Sequence, residues 1–379
     1  MTIKLGVIAL AGPDHGGTYQ YTLSTLQALQ HTTGFDVTIY GDPKNSDFAA
    51  LGFRVAPFSE SRARQFAALA AYRLGVALSD PFVGEDLLLA PIYSLALLHT
   101  SRPFAYTLHD VQEWHYPANF SRRQRAWRRQ VHEALLHRAS RVICESRFVK
   151  ADIVRFFGIG EARTTVIPAP PQPQFRSPLN EQQLDAARTK LQLPEKFLFY
   201  PAQFWTHKNH LRLIEAFRDV TKEVPGLSLV LTGKERDEYQ AVMDTIGRLD
   251  LSAHVRHLGH IEQQDLQAVY QLATALVMPS LFESISIPIY EAFQLGIPVA
   301  ASNILAIPEQ VGNAGLLFDP TSVTSIRDAI LEMVRHPEAA RQRTVYGRER
   351  IAAMTPERYG RQLQDLLRQL EGEPIRTRA

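Results

Sequence analysis

Two carboxylates, Glu283 and Glu291, stand with seven residues between them in the stretch Glu-Ser-Ile-Ser-Ile-Pro-Ile-Tyr-Glu, directly after the apolar run Ala273 to Ser280. An ionised carboxylate only accepts hydrogen bonds, so a pair of them suits a ligand rich in hydroxyls, such as a sugar or a ribose. If the apolar run is a buried parallel strand, Glu283 lies in the loop beyond its carboxyl end. Pro288 then begins the next helix, with Glu291 in its first turn. Both side chains would face the crevice in which open α/β sheets bind ligands. Spacing alone leaves a second reading open, in which Glu291 only complements a helix dipole and Glu283 is a solvated loop charge.

Four other local features can carry chemistry. Lys208, in Gln203-Phe204-Trp205-Thr206-His207-Lys208-Asn209, opens the helical pattern Leu211 to Val220. A cation at a helix amino end opposes the dipole, which points to an anion such as phosphate or else to a solvated lysine. The loop Ala11-Gly12-Pro13-Asp14-His15-Gly16-Gly17-Thr18 follows the first apolar run. Its glycines let backbone amides approach an anion, but it lacks both P-loop and dinucleotide-binding spacing, and a plain tight turn fits equally well. His109 and Asp110 end another apolar run, where the imidazole either reaches a ligand or is structural, as most lone strand-end histidines are, and the carboxylate can simply cap the following turn. Finally, Arg122, Arg123, Arg125, Arg128 and Arg129 surround Trp127 in a helical pattern that begins at Ser121. That stretch reads as a surface for anionic lipid, a grip on an acidic acceptor, or a solvated helix face.

The elements that must position these residues alternate short β-branched runs with amphipathic segments, the pattern of parallel sheets covered by helices on both faces. Strands are predicted at Lys4–Leu10, Asp36–Tyr40, Phe53–Phe58, Asp86–Ile92, Phe104–Leu108, Arg141–Glu145 and Thr165–Pro168. A proline-rich break at Pro168 to Pro173 follows. A second set is predicted at Phe197–Tyr200, Leu227–Leu231, Val255–Leu258, Ala275–Met278, Val299–Ala301 and Gly315–Phe318. The chain of 379 residues is too long for one ordinary core, so two Rossmann-like domains are expected, 1–170 and 171–354. A helical tail over 355–379, with Tyr359, Leu363, Leu366, Leu367 and Leu370 apolar, could pack back across the cleft between them. Net charge is only +2, which does not point to nucleic acid. The single cysteine, Cys144, sits in an apolar run and suits a reducing compartment. No apolar run approaches the roughly 20 residues of a membrane span. The first residues read as a strand and not as a signal peptide. The expected location is cytoplasmic, with any membrane contact peripheral.

Together these features resemble the retaining glycosyltransferases of family 4, the "group 1" transferases with the GT-B fold. The resemblance rests on the Glu283 to Glu291 pair with Ala292 to Ser302 after it, and on Lys208-Asn209 ahead of Leu213-Ile214-Glu215-Ala216-Phe217. Leu231-Thr232-Gly233 and Val255 to Gly259 add matching strand ends; Gly16-Gly17, His109-Asp110 and Ser146 to Lys150 are looser matches. It implies an α/β GT-B architecture, two Rossmann-like domains facing each other across a central cleft. The amino-terminal domain would bind the acceptor and the second domain the nucleotide sugar.

The resemblance also implies roles. Glu291 would accept from ribose hydroxyls and Glu283 from those of the transferred sugar, while the amides of Ile285, Ser286 and Ile287 hold sugar and diphosphate. Lys208 would neutralise the departing diphosphate, Gly16 and Gly17 would let the first-domain loop close over it, and His109 would touch the sugar near the reacting carbon. No cofactor or metal is implied; a UDP- or GDP-sugar is a co-substrate, and the acceptor is a sugar or lipid-linked hydroxyl. Two departures stand out. Gln203 replaces an arginine common five residues before the lysine, losing a bidentate donor, and Ser284 and Ser286 replace glycines between the glutamates. A nucleotide-sugar epimerase, a phosphorylase and a non-catalytic nucleotide-sugar binding subunit are the alternatives from other classes.

Overall fold

A computed structural model describes residues 2–373. Each of the thirteen predicted strand segments contains or overlaps a strand. In the first half these are β1 (Ile3–Ala9), β2 (Phe35–Gly41), β3 (Arg54–Pro57), β4 (Leu87–Ala90), β5 (Phe104–Thr107), β6 (Arg141–Cys144) and β7 (Thr164–Val166). The second half supplies β8 (Lys196–Pro201), β9 (Leu227–Thr232), β10 (Val255–His257), β11 (Ala275–Met278), β12 (Val299–Ser302) and β13 (Leu316–Phe318). They form two parallel sheets, ordered β3-β2-β1-β4-β5-β6-β7 and β10-β9-β8-β11-β12-β13. Central strands such as Leu87–Ala90 and Ala275–Met278 are buried at every residue. Helices cover both faces of such sheets, so these strands read as unbroken apolar runs and not as alternating ones.

The chain divides into two compact units, Met1–Pro170 with Met354–Ala379, and Pro171–Ala353. The first therefore regains the chain's end. Helix Pro356–Gln369, started by the Thr355 cap, lies on helix Gly17–Leu29. There Tyr359, Leu363, Leu366, Leu367 and Leu370 join the core that contains β1 and β2. The approach is close because Gly360 has no side chain; a Cβ there would stand 2.4 Å from the Ala28 carbonyl oxygen. The Tyr359 hydroxyl and Thr25 Oγ1, 3.0 Å apart, and Thr33 N donating to Gln364 Oε1 fix the register.

Both sheets reverse their order once, between β1 and β4 in the first and between β8 and β11 in the second. At such a point the loops beyond neighbouring strands part in opposite directions and leave a crevice. The candidate residues of each unit gather there.

Candidate active site

In the second unit the loops after β8 and β11 are tied together at the reversal. Leu281 N donates to the His207 carbonyl at 2.7 Å, and Tyr200 OH donates to the Lys208 carbonyl at 2.8 Å and lies 3.1 Å from Ser280 Oγ. Asn209, in the left-handed conformation with φ 62°, caps helix His210–Glu223 while its side-chain amide donates to the carbonyls of Pro279 and Pro320. These bonds aim Lys208 at Glu283, Nζ to Oε1 at 2.6 Å. Both partners are mostly buried, with side chains 21% and 10% exposed. The lysine thus faces a carboxylate and not open solvent. His210 packs beneath this loop on Phe204, and burial together with the Lys208 charge lowers its pKa to about 3.

Glu291 lies one turn into helix Ile287–Leu295, later than expected, because the helix starts at Ile287 and Pro288 is its second residue. Its carboxylate is buried and accepts from Tyr270 OH at 2.8 Å. Burial raises its pKa to about 7, and the tyrosine bond only partly opposes this. Of the three backbone amides implied to hold a ligand, that of Ser286 is committed to Gln310 Oε1 at 2.9 Å, and Gln310 Nε2 donates back to the Ser286 carbonyl. The amides of Ile285 and Ile287 have no such partner among the described residues. The buried Ser286 Oγ also lacks a partner.

Gln203 has no charge of its own, but it holds an arginine. Arg236, in the loop after β9, donates Nε to Gln203 Oε1 at 2.9 Å, and its guanidinium lies 5.1 Å over the Trp205 ring. No protein partner of its two terminal nitrogens occurs among the described residues. The two loops are zipped along their length, Phe204 N to Lys234 O and Glu238 N to Phe204 O. Gly233, φ 135°, permits this: a Cβ there would stand 2.3 Å from the Ala202 carbonyl oxygen. Sequence spacing missed Arg236 because its partner is 33 residues away. The visible signal was a cation just past the Leu231-Thr232-Gly233 strand end.

In the first unit a pocket of about 860 Å³ opens beyond the carboxyl ends of β1, β4 and β5. Gly12, His15, Asp47, Glu60, Tyr93, His109, Asp110 and Arg128 are among its lining residues. Gly16 has φ 58° and ψ −126°, a backbone state open only to glycine, and from it Gly17 begins helix Gly17–Leu29. His109 stands edge-on to Tyr21, with Nδ1 3.0 Å from Glu145 Oε2 and Nε2 2.8 Å from the Pro91 carbonyl oxygen. The Pro91 carbonyl can only accept, so Nε2 donates to it, and an ionised Glu145 favours a second proton, and positive charge, at Nδ1. Burial opposes that charge, but the Glu145 bond and charge hold the pKa above its ordinary value. The ring therefore presents charge and a carbon edge, and no free nitrogen. Asp110 Oδ1 caps the turn at Gln112 N and also accepts from Arg128 Nη2 at 2.8 Å. Arg128 Nε reaches the fully buried Glu113 at 2.8 Å, and against the cost of burial His132 and Arg128 hold Glu113 at about 2.

Ser121 caps helix Arg122–Arg138 with a reciprocal capping box, as its sequence implies. Its arginines do not act as one basic face. Arg128 belongs to the pocket network and Arg129 stacks 3.7 Å over the Trp114 ring, which leaves Arg122 and Arg123 exposed.

The chain is similar to known proteins along both halves. The description "Glycosyl transferases group 1" matches residues 181–350, and "Glycosyltransferase Family 4" matches residues 15–170. O-antigen chain mannosyltransferase B of Escherichia coli is 29% identical over 60% of this chain and 60% of its own length, less than two thirds of either. O-antigen chain mannosyltransferase RfbU of Salmonella typhimurium is 24% identical over 86% of this chain and 90% of its own. Among solved structures, Alr3699/HepE of Anabaena in complex with UDP and glucose superposes with a TM-score of 0.76 at 18% identity, covering 97% of this chain and 100% of that one. With a matching description on each half and the two parallel sheets of the GT-B fold, the chain belongs to the group 1, family 4 glycosyltransferases.

Proposed function

We propose that the protein is a retaining, metal-independent hexosyltransferase that moves a sugar from a nucleotide-diphosphate sugar to a hydroxyl of a growing bacterial polysaccharide or glycoconjugate. The observation that carries this reading is the Lys208–Glu283 pair at the reversal point of the second sheet. A cation held there by a carboxylate is preorganised for a diphosphate whose charge grows as it leaves, when fixed cations stabilise most. Arg236, with its terminal nitrogens open, adds a second cation of the fork geometry that suits phosphate. Together they take the place a divalent ion has in other transferases. Glu291 accepts from the ribose hydroxyls, and Glu283 from hydroxyls of the transferred sugar.

The bond between the anomeric carbon and the β-phosphate oxygen breaks, and the acceptor oxygen bonds to that carbon on the same face. The acceptor's proton passes to the departing phosphate oxygen, so no side chain is needed as a nucleophile. Glu283, committed to Lys208, is poorly suited to be one, and the paired-carboxylate scheme of glycoside hydrolases does not fit. The first unit's pocket, lined by carboxylates and other groups that can bond hydroxyls, takes the acceptor sugar. Nucleotide sugars place the reaction in the cytoplasm, with any membrane contact peripheral.

Two relatives are named mannosyltransferases and one structural neighbour is solved with UDP, so GDP- and UDP-linked mannose and glucose head the panel to test. Incubation of labelled donors with and without glycan acceptors should give a product of retained anomeric configuration, in the presence of a chelator. Isomerised donor, or binding without transfer, would replace this reading with an epimerase or a binding subunit.

A further inference from the structure

We infer that helix Arg62–Leu74 and the segment after it form a surface that inserts into anionic lipid. A surface helix normally turns its apolar stripe inward and its polar one to water. This helix fully buries only Ala68 and Leu69. Phe66, Ala70 and Leu74, spaced four apart and so on one face, are all exposed. Past the helix, Val76 and Leu78 are exposed too, and the large apolar residues among these five are 41% to 79% exposed.

The segment is held by its own bonds. Gly75, left-handed at φ 73°, ends the helix with Val76 N donating to the Ala71 carbonyl at 2.8 Å. Asp80 closes the other end, accepting from Phe82 N, Thr100 Oγ1 and Ser101 N. An ordered loop that presents Leu74, Val76 and Leu78 to water needs an apolar partner.

Charge selects that partner. The helix carries Arg62, Arg64 and Arg73, all exposed, and no acid. Phe66 packs at 4.3 Å on Trp127 of helix Arg122–Arg138, and the exposed Arg123, one turn before Trp127, shares its face. Apolar residues among arginines match a bilayer surface with anionic headgroups, into which the side chains dip while the guanidiniums meet phosphate. No helix among the described residues is long and apolar enough to cross a membrane, so the contact is one of surface insertion. This deepens the peripheral contact named in the proposed function and rests on that reading only for its purpose, which is to hold the acceptor pocket near a membrane-borne glycan.

The test uses vesicles of phosphatidylcholine with and without about one third phosphatidylglycerol, and no sugar, so it stands or falls apart from transferase activity. The protein should cosediment only with the anionic vesicles, and raised salt should weaken binding roughly tenfold. Replacing Leu74, Val76 and Leu78 together by serine should cost roughly tenfold in partitioning at any salt. Arg62→Gln, Arg64→Gln and Arg73→Gln together should cost a similar factor at low salt only. Both sets should keep the wild-type melting temperature and turnover on a soluble acceptor. A Leu74→Trp variant, informative even if the triple variant fails to fold, should be quenched by brominated acyl chains. Absence of vesicle binding at low salt, binding that ignores both sets, or self-association removed by the serine variant would overturn the inference, the last in favour of a second copy of the chain.

Discussion

The two reversal points solve the problem of polar groups at strand ends differently. In the second unit, Lys208 and Glu283 come from loops after adjacent strands and meet directly, while Glu291 is buried and bonded to Tyr270. In the first unit, some of the charges that line a wide pocket are paired outward, His109 to Glu145 and Asp110 to Arg128 to Glu113, while among the described residues Asp47 and Glu60 accept hydrogen bonds from neutral groups alone. A ligand of the second unit must share an existing ion pair, whereas a ligand of the first meets paired charges beside carboxylates held only by neutral donors. The first arrangement suits a charged leaving group, and the second suits a neutral hydroxyl-rich acceptor held by shape and hydrogen bonds.

The strongest test of this contrast is Lys208→Ala. Loss of a charge aimed at the departing diphosphate should lower kcat and kcat/KM together, by about 100- to 1,000-fold. Lys208→Arg should recover part of it. A raised KM with unchanged kcat would move Lys208 out of the transition state and erase the difference between the two units. The same variant leaves Glu283 buried and unpaired, so chemical denaturation should show a stability loss on the order of 3 kcal/mol that Lys208→Ala with Glu283→Gln largely restores.

Glu291→Gln should come next, weakening nucleoside diphosphate affinity by about 1–3 kcal/mol in calorimetry, since a ribose hydroxyl loses its charged acceptor. The pH dependence has a definite sign. The folded pKa of about 7 stands above the ordinary carboxyl value of 4.5, so the folded state binds the extra proton and stability falls as pH rises from about 4.5 through 7. The glutamine variant should therefore gain in melting temperature relative to wild type as pH rises across that window. Nucleotide binding, which favours the carboxylate, should release a proton below pH 7, seen as buffer-dependent binding enthalpy. Equal enthalpies in buffers of different ionisation heat would place the ribose elsewhere.

Arg236→Ala should weaken nucleoside diphosphate binding by about tenfold, as expected of a charge-assisted bond at a half-buried site. Gln203→Ala, which only removes the residue that orients the guanidinium, should cost less. If Gln203→Ala costs more than Arg236→Ala, the glutamine itself is the ligand. Smallest of all should be Asp110→Asn in the first unit, a rise of a few-fold in acceptor KM with nucleotide affinity unchanged; an altered nucleotide affinity would mean that the two sites are not separable as drawn.

The central strands were legible in the sequence because strands buried on both faces must be apolar along their whole length, as in Leu87 to Ala90; outer strands such as Arg54–Pro57 and Val255–His257 are only partly buried and were legible from β-branched residues between turn signals. The proline-rich break after Pro168 and the apolar stripe of the final helix were legible for the same kind of reason, since local chemistry dictates them. Glu283, Glu291 and Lys208 could be singled out as candidates, because position beyond a strand's carboxyl end places a residue at a crevice, but spacing alone left a dipole-complementing or solvated reading open. Their partners could not. That Lys208 faces Glu283, that Glu291 is buried against Tyr270 and titrates near neutrality, and that Gln203 carries Arg236 depend on contacts 75, 21 and 33 residues apart. The arginines around Trp127 read as one basic stretch, yet two of them turn inward to Glu113 and Trp114, and the exposed apolar face lies on a different helix. Residue type and period fix which segments become strands or helices; which side chains meet, and at what charge, is set only when the sheet order brings distant loops together.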